Sequence, residues 1–142
     1  TIADDAEIFF EGDNVEVIQK KIKEEIKRPM FWLNDIDKEA IVKDARYNKI
    51  YNNISFRTYI EDNYIYVSQQ KQIKSTGNGN VSEESIIDTV KNENMDIQVK
   101  ISRSTHDESL KCNIMYDNTV LSVVSNLKLQ EFEKLIENIT YK

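Results

Sequence analysis

The chain has one cysteine, one proline, three glycines and one histidine in 142 residues, and each scarcity removes a class of explanation. A lone cysteine, Cys112, cannot close a disulfide within the chain. A lone histidine, His106, has no second His or Cys at metal-ligand spacing. Long apolar runs are missing: the best, residues 120–124, has the length of a strand, and none would span a bilayer. Positive charge is also in deficit, with 19 Lys and Arg against 25 Asp and Glu and a net charge of -6. A duplex-binding surface needs a cationic excess to displace counterions from phosphates, so no nucleic-acid partner is expected. The single basic run, Lys20-Lys21-Ile22-Lys23, is followed at once by Glu24 and Glu25. Glu24/Lys27 and Glu24/Arg28 fall at helix-neighbour spacing, and the run reads as a solvated helix face.

What remains is the balance of a folded soluble domain: 39% apolar and 31% charged residues. The length suits one domain over residues 1–142 with a buried core of its own. Abundant Ile, Asn, Lys and Tyr point to an AT-rich bacterial genome. The chain starts at Thr1 without a methionine, and the expectation is an anchor or signal upstream, with residues 1–12 as its lead-in.

Residues 1–11 fit either a short helix or a lead-in strand. Asp13-Asn14 with Glu16 resembles a helix start. Val15, Ile18, Ile22 and Ile26 then recur at spacings of three and four up to Pro29, predicting a helix over 14–27. Met30, Phe31, Trp32 and Leu33 form an apolar connector. After Ala40 the period changes to two. A strand is expected at 40–48, then a hairpin with Ile54, Phe56, Thr58 and Ile60 on one face, the Glu61-Asp62-Asn63 turn, and a return through residues 64–69. Residues 74–80, KSTGNGN, form a Gly-rich loop. Residues 85–91, 97–102, 110–116 and 119–125 alternate again. Leu129, Phe132, Leu135, Ile136 and Ile139 predict a closing amphipathic helix. The fold class is therefore α+β: an antiparallel meander sheet of about six to seven strands, with an N-terminal and a C-terminal amphipathic helix packed on one face.

Three stretches, IKRPMFWLN at 26–34, ARYNKIYNNISFRTYIEDNYIYVSQQK at 45–71 and YDNTVLSVVSNLKLQEFEKLIENI at 116–139, resemble an uncharacterised extracytoplasmic domain of clostridial and related Gram-positive bacteria. Members of that family usually follow a single membrane span, and some are encoded beside sigma-factor regulators. The last stretch carries the likeness most specifically. A second proline common in the family connector is absent between Pro29 and Asn34. The resemblance implies an extracytoplasmic location, anchored to the cell membrane through a segment upstream of Thr1. It supplies no catalytic residues.

No constellation in the sequence calls for catalysis. His106 with Asp107 and Glu108 reads as an exposed loop, because sequence neighbours seldom converge on one ion. Cys112 alternates with Leu110, Ile114 and Tyr116, which makes it a small core side chain rather than an activated thiolate. KSTGNGN lacks the spacing of a phosphate-binding loop. Asp35, Asp37 and Glu39 lack the glycine and remote glutamate of a calcium loop. Neither a metal nor a cofactor is expected, and the chain is read as not an enzyme.

Aromatic residues carry more weight. Tyr59 shares the polar face of its strand with Ser55 and Arg57, while Tyr64 and Tyr66 line one face of the next strand, with Tyr47 and Tyr51 nearby. Tyr and Arg on a rigid sheet give large contact area at low entropic cost, although cross-strand pairing alone also explains them. The binding candidates are Arg57, Tyr59, Tyr64 and Tyr66. The leading expectation is a non-catalytic sensing or binding domain at the cell envelope whose partner is an envelope protein or peptide. The alternatives are a cytosolic small interaction or immunity-type protein and, third, a metal-dependent enzyme using the His106 region.

Overall fold

A computed structural model describes residues 6–12, 14–72 and 86–142. The Gly-rich stretch 74–80, Asp13 and residues 1–5 lie outside the described residues. The elements run β1 (Glu7–Phe9), α1 (Val15–Ile26), β2 (Phe31–Trp32), β3 (Ile41–Asn48), β4 (Asn53–Ile60), β5 (Asn63–Lys71), β6 (Ile86–Asn92), β7 (Ile97–Arg103), β8 (Leu110–Tyr116), β9 (Thr119–Ser125), α2 (Leu129–Glu137) and β10 (Thr140–Tyr141). The class is α+β, with antiparallel strands and two helices.

Two details of the expected sheet need correction. The main sheet has eight strands, not six or seven, and a second sheet pairs β10 with β2. The extra strands span two or three residues each, too short for a period of two to declare itself. The sheet is also not one continuous meander. Its order, β1-β3-β4-β5-β9-β8-β7-β6, joins a β3-β4-β5 meander to a β6-to-β9 meander through the β5–β9 pair. Alternation tells which face a residue takes, but not which strand lies beside it. Among the described residues β1 and β6 are the two edges, and no pairing joins them.

Helix α1 begins where Asn14 Oδ1 accepts a hydrogen bond from the Val17 N–H at 3.0 Å. It ends at Lys27, whose φ of 53° lies in the left-handed region, just before Pro29. The helix pairs expected of Glu24 with Lys27 and Arg28 lose their geometry at that break. The ion pair on this helix is instead Glu16–Lys20 at 3.1 Å. The basic run is engaged within the fold: Lys21 donates to the Glu11 carbonyl, and Lys23 to the carbonyls of Arg28 and Lys142.

Val15, Ile18 and Ile22 of α1 and Phe132, Leu135 and Ile136 of α2 belong to the same buried cluster as Ile54, Val67, Leu121, Val123, Ile114 and Ile101 from the strands. Buried amides tie these parts together. Asn92, fully buried on β6, donates through Nδ2 to the Ile136 and Ile139 carbonyls at 2.8 and 2.9 Å, and its Oδ1 accepts from the Met95 N–H at 3.0 Å.

The connector after Pro29 is held by two glutamines. Along β2, Met30 exchanges both backbone hydrogen bonds with Lys142. The backbone groups of Phe31 and Leu33 therefore face the opposite edge, where a third strand would lie. Gln69 takes both groups of Phe31, at 2.9 and 3.0 Å. Gln19 takes both groups of Leu33, at 2.8 and 3.1 Å. Each side-chain amide replaces one residue of the missing strand, so a buried edge is left without orphaned donors.

Candidate functional site

Antiparallel partners point to the same side of a sheet, so the register maps the face opposite the buried one. One row across the strands reads Lys43–Arg57–Tyr66–Val124–Lys111. The neighbouring row reads Phe9–Arg46–Ser55–Ser68–Ser122–Asn113. On the other flank of the first row, Ile41, Tyr59 and Tyr64 stand side by side. The alternation in the sequence sets the face of each residue, and the strand order joins those residues into rows.

The four residues singled out in the sequence stand together. Tyr64 and Tyr66 rings lie 4.5 Å apart, and Tyr59 meets Tyr66 edge-on at 6.2 Å. The Arg57 guanidinium sits 5.2 Å from the Tyr66 ring centre, and the Lys43 ammonium 5.6 Å from that of Tyr59. At such exposed sites each cation–ring contact is worth about 0.5–1 kcal/mol. A hydrogen bond shared with Tyr59, followed by partial desolvation, pushes the Tyr66 hydroxyl above its ordinary value, against the opposing pull of Arg57. Tyr47 and Tyr51 do not join the cluster. Tyr47 lies on the other face, with its hydroxyl 3.3 Å from Asn52.

A bulge in β3, between Lys43 and Arg46, was not legible in the alternation. Asp44 occupies it at φ 56°, a conformation that Asp tolerates better than most residues. The extra residue brings its carboxylate to 4.0 Å from Arg57, so Arg57 has an anion on one side and the Tyr66 ring on the other. Beside this clamp lies a groove of about 480 Å³ bordered by Phe9, Asp44, Arg46, Arg57, Tyr66 and Val124, with Ser55, Ser68 and Ser122 along it.

The other candidates are placed elsewhere. His106 is exposed in the β7–β8 loop, its backbone N–H bonded to Ser104 Oγ at 3.2 Å. Neighbouring Asp107 is held below the usual carboxylate range, chiefly by the hydroxyl of Ser109 and then by its backbone N–H. Cys112 is 2% exposed, and burial pushes its thiol up to about 12. Asp37 accepts from the Glu39 N–H at 2.8 Å, while Asp35 faces Lys134 at 3.9 Å. Among the described residues, no three His, Cys, Asp or Glu side chains gather as a metal site, and no helix is long and apolar enough to cross a membrane.

No protein-family model, curated protein or solved structure matches this chain.

Proposed function

We propose that this chain is a non-catalytic recognition domain, the extracytoplasmic part of a membrane-anchored bacterial protein, and that it binds an envelope protein or peptide through the open face of its sheet. In this reading both helices cover the other face and leave the tyrosine-bearing one free. The observation that carries it is the contiguous cluster of Arg57, Tyr59, Tyr64 and Tyr66 beside the groove. Aromatic and arginine anchors of this kind concentrate binding energy in protein interfaces. The family likeness of residues 26–34, 45–71 and 116–139 supports the location.

The surface is tested by affinity capture from envelope extract with the wild type and a Tyr59→Ala/Tyr64→Ala double variant. A partner recovered by the first and lost by the second is expected. Equal recovery would remove this face from the proposal. The anchor is tested in the upstream reading frame, where an apolar run of about twenty residues is expected before Thr1. A nearby Met with no such run would point to a cytosolic interaction protein instead.

A further inference from the structure

Stability alone does not favour the serine row. Ser55, Ser68 and Ser122 are consecutive cross-strand partners on β4, β5 and β9, three strands in the interior of the sheet. Such positions are filled best by β-branched or aromatic side chains that cover their neighbours. Three small hydroxyl residues in line leave a trough instead, walled on one side by Arg57, Tyr66 and Val124. Ser68 donates to Asn53 at 3.0 Å. The hydroxyls of Ser55 and Ser122 have no protein partner among the described residues.

Charge on this face runs against the whole chain. The protein carries -6. On strands β1, β3, β4, β5, β9 and β8, however, the charged residues of this face are Lys43, Arg46, Arg57 and Lys111 against Glu7 and Asp44, and Glu7 accepts from Asn48 at 3.4 Å. Asp44 is taken up by Arg57. Arg46 at one end of the trough and Lys111 near the other have no ion-pair partner among the described residues. Four strand spacings separate β3 from β8, roughly 19 Å at about 4.8 Å each.

From these observations we infer that the trough binds an extended acidic peptide laid across the strands, with carboxylates meeting Arg46 at one end and Lys111 at the other. This rests on the docking face proposed above and adds the chemistry of its partner. Serine hydroxyls both donate and accept, matching the alternating N–H and C=O groups of an extended backbone. The guanidinium fork suits carboxylates. About six extended residues at 3.3 Å each span the distance.

The experiment is fluorescence anisotropy with a labelled hexapeptide alternating glutamate and serine, its glutamine counterpart, and inorganic polyphosphate as competitor. Binding of the glutamate peptide that weakens with added salt is expected, with the glutamine peptide about tenfold weaker or more. Arg46→Gln and Lys111→Gln are each expected to weaken binding about tenfold. Ser122→Leu fills the trough and should abolish binding while leaving circular dichroism at wild-type values and the unfolding midpoint at or above the wild-type one. Equal affinity for both peptides, or full affinity in the filled and charge-neutralised variants, overturns the inference. So does displacement of the peptide by polyphosphate at equal or lower concentration, which would assign the trough to phosphate polymers. If these fail while the Tyr59→Ala/Tyr64→Ala variant still loses its captured partner, the docking face stands and only its acidic specificity falls.

Discussion

Replacing Gln69 tests whether side-chain amides stand in for a strand beneath the sheet. Gln69 is 2% exposed and holds the Phe31 N–H and C=O at 2.9 and 3.0 Å. Gln69→Leu keeps a similar volume but leaves both backbone groups buried and unpaired, at about 1–3 kcal/mol each. The apolar side chain returns about 1 kcal/mol through burial, so the net loss is about 3 kcal/mol, which lowers the melting temperature by about 10 °C in a chain of this length. Gln69→Glu sharpens the test. Its carboxylate still accepts from the N–H but opposes the Phe31 carbonyl, whereas the protonated acid can again donate to it. Burial raises the folded pKa of this glutamic acid above its unfolded value of about 4.3. The variant should therefore be most stable below that value and lose stability as pH rises through the folded pKa. Urea denaturation followed by circular dichroism, for both variants from acid to neutral pH, measures this. A Gln69→Leu protein within about 0.5 kcal/mol of wild type, or a Gln69→Glu protein with the same pH dependence as wild type, would refute the reasoning.

Asn92→Ala removes three buried hydrogen bonds that join β6 to the end of α2 and to Met95, and urea denaturation should show a loss of about 2–4 kcal/mol. Thr58→Val should act in the opposite direction, gaining about 1 kcal/mol, because the Thr58 hydroxyl is buried without a hydrogen-bond partner among the described residues; a loss of stability in the same assay would contradict this. Cys112, with its thiol pushed up to about 12 by burial, should resist a thiol-reactive chromogen at neutral pH and release one equivalent only on denaturation. Asp107, whose pKa is lowered first by the Ser109 hydroxyl, contributes stability above the ordinary carboxylate range that fades as pH falls through its folded value. Ser109→Ala should move its titration upward by nuclear magnetic resonance.

The sequence made the face of each residue legible and left the neighbours hidden. Alternation placed Arg57 and Tyr59 on one face of a strand and Tyr64 and Tyr66 on one face of the next; the turn, two residues rather than the expected Glu61-Asp62-Asn63, brings those faces to the same side because Ile60 pairs with Asn63. It could not place Ser122 and Lys111 in line with Ser55 and Arg57, since β9 reaches β5 only after the chain has built three other strands. The trough is therefore a property of strand order, visible only once β5 and β9 are paired. The Asp44 bulge escaped for another reason: a single extra residue shifts the alternation without any glycine to mark it. β2 and β10 escaped because their order comes from Gln19, Gln69 and each other's backbone, not from a hydrophobic period.

These features divide the molecule by function as well as by side. The buried polar groups that hold it together, Gln19, Gln69 and Asn92, all bond to backbone of the connector or of the α2 end. The polar groups on the open face meet neighbours on that same face: Ser68 bonds to Asn53, Arg57 pairs with Asp44, and Lys43 lies over Tyr59. A change on the open face removes no hydrogen bond to the connector or to α2. Conversely, the first group stabilises a sheet whose opposite surface it never touches. A protein under selection for stability alone would fill that surface with Thr, Val and Ile. On the reading proposed above, arginine beside bare serine in the sheet interior marks the surface that the partner covers.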